Sequence, residues 1–408
     1  MKNLCLFFLS VLILAGCSAS KRFSEDIESD AITNVRLLID ESPNEKELSI
    51  KSDCFLFEEE KEIGKIFSGE KIFIKSIGNS ISLKIKNNFY EADYFQLKPV
   101  DEQSYINIDK IKLRGTLKIT NKSGSVILVN SIDLESYLKG VIPREIPLGN
   151  GDENIEALKA FAICARTFTL QRLNLSNTKE FFDLFIDVRD QVYGGVNVEQ
   201  PVSNKAVDET RGLILTYKEK PATVYYSSTC AGMTEDAKNI FNVDEPYLKP
   251  VKDGNEPYCI ISHAFEWEEF YTQEDFIERI LNNTDQLFLE SQKFELNDIR
   301  VLSRFESGRV NELDVELIDT NSGEVKSIII KGNNIRWIIK RADNKGILRS
   351  IWFDIKFDEN KNVTITGKGY GHGVGLCQYG AIGMNRSGKS YKEILNHYFP
   401  GTDISQIK

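Results

Sequence analysis

Residues 133–168 constrain the fold more than any other stretch, because a proline-framed acidic segment is followed directly by a strongly patterned helix. Glu145 lies between Pro143 and Pro147 in the segment IPREIP. Proline fixes its own φ and biases the preceding residue towards extended geometry, so the isoleucines before both prolines are expected to be extended. The sequence therefore predicts that Glu145 lies on a stiff, non-helical segment, with Arg144 beside it setting the local charge.

The helix after this segment is predicted from the spacing of its apolar side chains. Asp152 or Asn154 can cap its first turn, where N–H groups have no partner within the helix. Lys159 and Arg166 lie seven residues apart on one face with the small Ala162 between them, so a ligand could approach there. The alternative is that the acid lies in a surface turn and the two cations on a solvated face. The apolar positions at helical spacing are Leu158, Phe161, Ala162, Ala165 and Phe168.

Residues 33–125 show the period-two alternation that is typical of β-strands. Clear examples are KIFIK at 71–75 and ISLKIK at 81–86, with the turn residues GNS between them. The segment contains no histidine and no tight acidic cluster. We therefore predict a small all-β domain, whose function would be to bind the wall or a partner.

Residues 126–403 mix strands and helices without strict alternation. That order favours an α+β fold over a doubly wound parallel sheet. The sequence thus predicts a mixed, β-rich core domain with a few helices, preceded by the small all-β domain.

The first 16 residues have the composition of a secretory signal: a short positive region and then an apolar run too short to cross a bilayer comfortably. LAGC at 14–17 resembles the bacterial lipobox, which implies lipidation of Cys17. The mature chain would then begin with a polar tether at 17–32 and be lipid-anchored on the extracytoplasmic side of a bacterial membrane.

Composition excludes several classes of protein. The chain has 408 residues, of which 41% are hydrophobic and 27% charged, so disorder over most of its length is not expected. The net charge is −10 and no basic stripe stands out, which argues against nucleic acid as a partner.

Several motifs occur in a fixed order along the chain: ESYLKGVIPREIP, EALKAFAICARTFTL, DQVYGG at 190–195, VYYSSTCAG at 224–232, SGRV at 307–310 and GKGYGHGVGLCQYGAIGM at 367–384. Together they resemble the SpoIID/LytB family of cell-wall proteins, which includes sporulation stage II protein D and the amidase enhancer. The resemblance covers roughly residues 34–402. An ordered set of motifs is far more specific than any one of them.

The resemblance implies a lytic transglycosylase that cleaves the bond between N-acetylmuramic acid and N-acetylglucosamine in peptidoglycan and leaves 1,6-anhydro ends. One carboxylate suits this chemistry, and Glu145 is the residue expected to supply it, with Lys159 and Arg166 orienting substrate or tuning the proton. The alternative is a non-catalytic glycan-binding protein that recruits or stimulates a cell-wall amidase or another wall hydrolase. A structural envelope lipoprotein is a third interpretation.

The segment GKGYGHGVG carries five glycines in nine residues, so its backbone could approach a ligand closely. It lacks the Gly-Lys-Ser/Thr or strand–GxGxxG–helix context of a nucleotide site. The resemblance instead implies that the segment lies beside Glu145, with His372, Gln378 and Tyr379 lining a glycan cleft. A tight structural loop in which His372 is a buried hydrogen-bonding group is the alternative.

Polar side chains in two other motifs could bind sugar hydroxyls. Gln191 and Tyr193 belong to the first, and Tyr226, Ser227 and Ser228 to the second. Tyrosines on strands are also common as ordinary half-buried packing residues, so each residue alone carries little weight.

The cysteines leave the metal question open. Cys230 and Cys259 could form a disulfide in an oxidising compartment, and with His263 they form a candidate zinc set. Some relatives carry zinc through Cys and His in this region, with one His after a Gly-Gly pair, but here that stretch reads CAGM. Because that ligand is missing, no metal or other cofactor is expected, and a disulfide or two free thiols is favoured.

Overall fold

A computed structural model describes residues 34–101, 103–175, 181–284 and 293–407. The predicted signal peptide, the tether and Cys17 lie outside the described residues, so the lipid anchor stays a prediction. Within the described ranges, no helix combines the length and the apolar character needed to cross a membrane.

The N-terminal region is all β, as its alternating pattern predicts. Its strands are β1 (Asn34–Pro43), β2 (Glu45–Ser49), β3 (Cys54–Glu58), β4 (Lys61–Ile66), β5 (Lys71–Ile77), β6 (Ser80–Ile85), β7 (Asn88–Ala92), β8 (Tyr94–Pro99), β9 (Ile106–Ile108), β10 (Ile111–Leu113), β11 (Thr116–Lys122) and β12 (Ser125–Asp133). β2, β5, β6 and β7 form one antiparallel sheet, and successive positions of β5 and β6 alternate between buried and more exposed, with Ile72, Ile74, Ile81 and Leu83 buried.

The later strands are two to eleven residues long, and apart from the first of them they lie in several small sheets. They are β13 (Leu184–Phe185), β14 (Leu213–Tyr217), β15 (Lys220–Pro221), β16 (Tyr226–Ser227), β17 (Glu266–Tyr271), β18 (Phe294–Arg304), β19 (Val310–Asp319), β20 (Val325–Lys331), β21 (Phe353–Phe357), β22 (Val363–Lys368), β23 (Leu376–Cys377) and β24 (Asp403–Gln406).

The described helices all follow β12 in the chain. Those described are α1 (Leu134–Glu145), α2 (Ile155–Leu175), α3 (Pro201–Glu209), α4 (Ala237–Phe241), α5 (Gln273–Asn283), α6 (Asn334–Ile339), α7 (Gln378–Arg386) and α8 (Tyr391–Tyr398), with 3₁₀ turns at Gly195–Val198 and Tyr258–Ile261. The mixture of helices with several sheets, after an all-β region, confirms the predicted α+β class.

One sheet joins the N-terminal region to the rest. Its order is β13-β1-β12-β11-β8-β3-β4, so β12 pairs with β1 on one side and with β11 on the other. The predicted boundary between residues 125 and 126 falls inside β12. Buried side chains of this sheet, such as Leu37 and Leu117, belong to the same apolar core as those of α1 and α2.

The predicted non-helical setting of Glu145 is wrong, because Glu145 is the last residue of α1. Asp133 caps the start of this helix by accepting a hydrogen bond from the Ser136 N–H, at 3.0 Å. Pro143 lies in the last turn, where its missing N–H costs one hydrogen bond and the buried apolar face of α1 outweighs the loss. Pro147 acts as expected, since Ile146 before it is extended, with φ −135° and ψ 139°.

A second apolar core lies in residues 267–365, apart from the first. It is built by two three-stranded antiparallel sheets, β17-β22-β21 and β18-β19-β20, with α5 and α6. The chain order alone did not predict that this segment has a core of its own.

Candidate functional site

Glu145 ends α1 with its carboxylate turned towards the loop after β13. Its Oε1 accepts a hydrogen bond of 2.7 Å from the backbone N–H of Val192. The side chain is half-buried. Burial raises the pKa of Glu145, and it outweighs the Val192 hydrogen bond and the Arg144 charge, which both lower the pKa. Glu145 is thus a carboxylic acid whose protonated form is favoured relative to an exposed glutamate.

A buried network of polar side chains lies next to this acid. Gln191 is fully buried, and its Oε1 accepts hydrogen bonds from the hydroxyls of Tyr137, at 3.2 Å, and Thr169, at 2.8 Å. Its Nε2 donates to the hydroxyl of Tyr226 at 3.0 Å. Burial and the charge of Glu145 both raise the pKa of Tyr226, so this hydroxyl stays protonated. Gln191, predicted to bind sugar, here fixes the residues around the acid.

Tyr193 holds the same loop against α1. Its ring lies 5.5 Å from that of Tyr137, centroid to centroid. Gly140 of α1 leaves space for it, since a Cβ at that position would lie 2.4 Å from the Tyr193 ring. The Gly194 N–H also donates to the Gly140 carbonyl at 3.0 Å. Tyr193 is 5% exposed, so little of it can meet a substrate.

Backbone pairing connects this network to the C-terminal glycine-rich block. β16 pairs in parallel with β23, so Tyr226 faces Leu376 and Ser227 faces Cys377. Gly375 is required there, because a Cβ would lie 2.1 Å from the Tyr225 carbonyl oxygen and the backbone has φ +72°. The two signature motifs, one with Glu145 and the other with the glycines, therefore meet through Tyr226.

His372 is held inside the glycine-rich turn. Its Nδ1 accepts the Val374 N–H at 3.0 Å, and the ring packs edge-on against Phe241 with 4.9 Å between centroids. Burial, together with the charges of Arg336 and Arg309, lowers the pKa of His372 to about 3. His372 is thus neutral at physiological pH, in the setting of a structural hydrogen-bonding group.

Three further candidates lie beside these strands. Ser227 is 7% exposed, and its Oγ makes no hydrogen bond within the part of the chain that is described. Gln378 and Tyr379 open α7, so the second half of the glycine-rich block is a helix rather than a loop. Tyr379 places its hydroxyl 3.2 Å from Nδ1 of His263.

Lys159 and Arg166 have environments different from those expected. Arg166 has no exposed surface, and its Nε and Nη2 bind both oxygens of Glu135 at 2.9 and 2.6 Å. Lys159 bridges Glu156 and Glu209 at 2.9 and 2.7 Å. Both cations are therefore engaged by carboxylates, and Arg166 connects α2 to α1.

A cleft of about 710 Å³ opens beside the end of α1. Pro143 and Arg144 form one wall, and the 3₁₀ turn at Gly195–Val198 contributes to the other. The side chain of Glu145 is not part of the lining of this cleft.

The sequence did not single out two residues near these motifs. Arg309 is fully buried and donates to the carbonyls of Cys230 and Met233, at 2.9 and 3.0 Å. It lies in the SGRV motif, which could have drawn attention to it. Asn385 accepts the N–H groups of Glu156 and Ala157 at the start of α2, so neither predicted cap residue provides this contact.

Cys230, Cys259 and Cys377, which we call the thiol cluster, are free and fully buried. The Cys230 and Cys259 sulfurs are 3.7 Å apart. The predicted pairing partners are therefore adjacent without being joined. The third residue close to Cys230 and Cys259 is Cys377, not the predicted His263.

The chain is similar to several known proteins and to two family models. A family model described as stage II sporulation protein matches residues 122–217, and a domain of unknown function (DUF8618) matches residues 255–375, the region of the second core. Stage II sporulation protein D of Bacillus amyloliquefaciens is 31% identical over 295 residues, which cover 68% of this chain and 76% of that protein. An uncharacterized protein of Brachyspira hyodysenteriae is 30% identical over 354 residues, covering 86% of each. The amidase enhancer of Bacillus subtilis is 27% identical, and the match covers 80% of this chain but 53% of that relative.

Proposed function

The chain belongs to the SpoIID family of stage II sporulation protein D, and from that premise we propose that it is a cell-wall protein that cleaves peptidoglycan glycan strands as a lytic transglycosylase. The observation that carries the proposal is the setting of Glu145. A half-buried carboxyl group with a raised pKa, oriented by one backbone N–H, suits a general acid.

In the proposed reaction, protonated Glu145 gives its proton to the glycosidic oxygen as the bond from C1 of N-acetylmuramic acid breaks. The C6 hydroxyl of the same sugar attacks C1, and its proton passes to the Glu145 carboxylate. The products are a 1,6-anhydro end and a free C4 hydroxyl on N-acetylglucosamine. The acid is regenerated, so one carboxyl group suffices.

The two acidic residues at the start of α1 are engaged in other contacts, which supports a single-carboxylate mechanism. Asp133 caps α1, and Glu135 is bound in the ion pair with Arg166. Hydrolysis by a glycosidase normally uses a second carboxylate that flanks the bond. Since both neighbours are engaged, attack by the sugar's own hydroxyl fits the site better than attack by an activated water.

Substrate contacts are proposed from side chains at the cleft beside α1. The Ser227 hydroxyl has no partner among the described residues, but its oxygen is buried, so a direct contact with the glycan is not proposed for it. Arg144 lines the cleft beside α1 and could contact the glycan there. Arg166, in contrast, is proposed to be structural.

The test is digestion of purified sacculi by wild-type protein and by Glu145→Gln. Glutamine keeps the acceptor for the Val192 N–H but cannot transfer the proton, so we expect release of anhydromuropeptides to fall by about 10²–10⁴-fold. Mass spectrometry of the soluble products measures it. Glu91→Gln, at an exposed position of β7, is the matched control and should keep wild-type activity.

A second candidate is a non-catalytic glycan-binding protein that stimulates an amidase, which the similarity to an amidase enhancer favours. The same assay separates the two functions when a purified cell-wall amidase is added. Stimulation that is equal for wild type and Glu145→Gln, with no anhydro products from either, would support this candidate and contradict the transglycosylase.

A further inference from the structure

We propose that Cys230, Cys259 and Cys377 bind one structural zinc ion. The three residues come from distant parts of the chain: beside β16, in the 3₁₀ turn at Tyr258–Ile261 and immediately before α7. Their sulfur atoms all lie within 4.8 Å of one another, and none of the three has exposed surface. Three buried thiols that converge without forming a disulfide are a set that zinc binds well.

The distance between the sulfurs fits a shared ion. Two thiolates at about 2.3 Å from a tetrahedral zinc are about 3.7–3.8 Å apart. The Cys230 and Cys259 sulfurs are 3.7 Å apart. The fold thus holds this pair at the separation of two ligands of one ion.

Asp253 is placed to complete the coordination. It is fully buried, and its Oδ2 is 3.7 Å from the Cys230 sulfur and accepts the Cys259 N–H at 3.3 Å. Its other oxygen accepts the Tyr398 hydroxyl at 2.8 Å and lies 3.4 Å from Nε2 of His397. Such outer contacts are typical of groups that orient a metal ligand.

Backbone donors and a nearby cation suit negatively charged sulfur. The N–H groups of Cys230 and Gly380 both donate to the Cys377 sulfur at 3.2 Å. The Arg309 guanidinium binds the Cys230 carbonyl at 2.9 Å. These groups would offset the charge of three thiolates and a carboxylate around a divalent ion.

The proposed ligands differ from the set that the sequence suggests. His263 faces Tyr379, and Cys377, which the sequence did not include, supplies the third sulfur. Zinc here would join the β16 segment, the 3₁₀ turn and the start of α7. This role does not depend on the proposed transglycosylase activity.

The experiment measures zinc in the full chain, purified without chelators, by inductively coupled plasma mass spectrometry. We expect about one zinc per chain for wild type and less than about a tenth for Cys377→Ser. Serine can still cap α7 through the Gly380 N–H, so the variant removes the sulfur ligand but keeps the cap. Cys164→Ala changes a buried thiol of α2 outside the cluster and should keep one zinc.

A second measurement needs no variant. Treating wild-type protein with a chelator should release zinc in a one-to-one ratio to the chain and lower Tm, because metal binding contributes to folding. Asp253→Asn should weaken zinc at least about tenfold in competition with a chelator dye; unchanged affinity would overturn the role of Asp253. Wild-type protein that contains no zinc and has reduced thiols would overturn the site. The same holds for zinc-free protein in which Cys230 and Cys259 appear in one disulfide-linked peptide.

Discussion

The carboxyl group of Glu145 is subject to two opposing influences. Burial favours its neutral form, whereas the Val192 N–H and Arg144 favour the anion, and the net effect is a raised pKa. A raised value is useful because the proposed reaction begins with the protonated acid and passes through the carboxylate. The same side chain therefore fits both halves of the reaction.

This pKa gives a pH prediction. We expect kcat/KM on glycan strands to fall as pH rises through the pKa of Glu145, because the proton donor is lost. Since the folded-state pKa is raised above the ordinary glutamate value of about 4.5, the contribution of Glu145 to stability is complete below about pH 4.5 and is lost as pH rises through the folded pKa. Urea unfolding of wild type and Glu145→Gln from pH 4 to pH 8 measures it.

The sign of the expected difference is specific. The free energy of unfolding of wild type should decline relative to Glu145→Gln as pH increases. A difference that stays constant over this range would contradict a raised pKa, and a difference that grows in favour of wild type would indicate a lowered one.

The sequence singled out Glu145 as a candidate but misjudged its backbone. The rule for residues before proline predicted extension at Ile142, where the packing of α1 prevails. Local sequence could not reveal that Val192 donates to the acid or that Tyr137 and Tyr226 meet at Gln191. Those contacts join segments tens of residues apart.

Helices α1 and α2 are joined by a buried ion pair. Arg166 binds Glu135, which also accepts the Gly212 N–H at 3.1 Å, so the pair links both helices to the start of β14. A buried pair is costly to break, because the remaining charge is left without a partner. Lys159, with its partly exposed pairs on the same helix, has a much smaller expected contribution.

Substitutions of Arg166 and Lys159 should therefore differ in their effect on stability. Arg166→Ala should lower the free energy of unfolding by about 3–5 kcal/mol, whereas Lys159→Ala should lower it by less than about 1 kcal/mol. Urea denaturation measures both. Full stability of Arg166→Ala with lost glycan binding would instead support the substrate-orienting role that the sequence suggested.

Element boundaries show where sequence patterns succeed. The apolar period predicted α2 and the alternation predicted β5 and β6. Sequence patterns carry less information where strands are short, since β15 ends at Pro221 and β16 then pairs with the distant β23. Because the C-terminal block is rich in glycine, its sequence does not indicate the helix α7. The capping box of Ser390 and Glu393, in contrast, marks the start of α8 clearly.

The molecule is organised around two apolar cores. The first contains the N-terminal sheet together with α1 and α2, and the second lies within residues 267–365. Arg309 and Ser307, from the turn between β18 and β19, reach the first core by binding Cys230 and Glu235. A Cβ on Gly373 would clash with the Arg309 guanidinium, so the glycine-rich block also adapts to this connection.

The seven-stranded sheet that contains β12 leads to a prediction about truncation of the chain. β12 is central, with β1 and β11 hydrogen-bonded on its two sides, and the predicted domain boundary cuts it from both partners. A truncated chain that begins at residue 126 would lose those hydrogen bonds and expose buried residues, among them Val129 and Ile132. We therefore expect it to be insoluble or to lack a cooperative thermal transition.

The comparison is a chain that begins at residue 34, which keeps every described strand and should melt cooperatively, like the full-length protein. Circular dichroism and calorimetry of both chains measure the difference. A soluble chain from residue 126 with a sharp transition and wild-type activity on sacculi would mean that the core domain folds alone. In that case the N-terminal sheet would be an accessory to the Glu145 site, whereas the strand pairing of β12 indicates that it supports α1 directly.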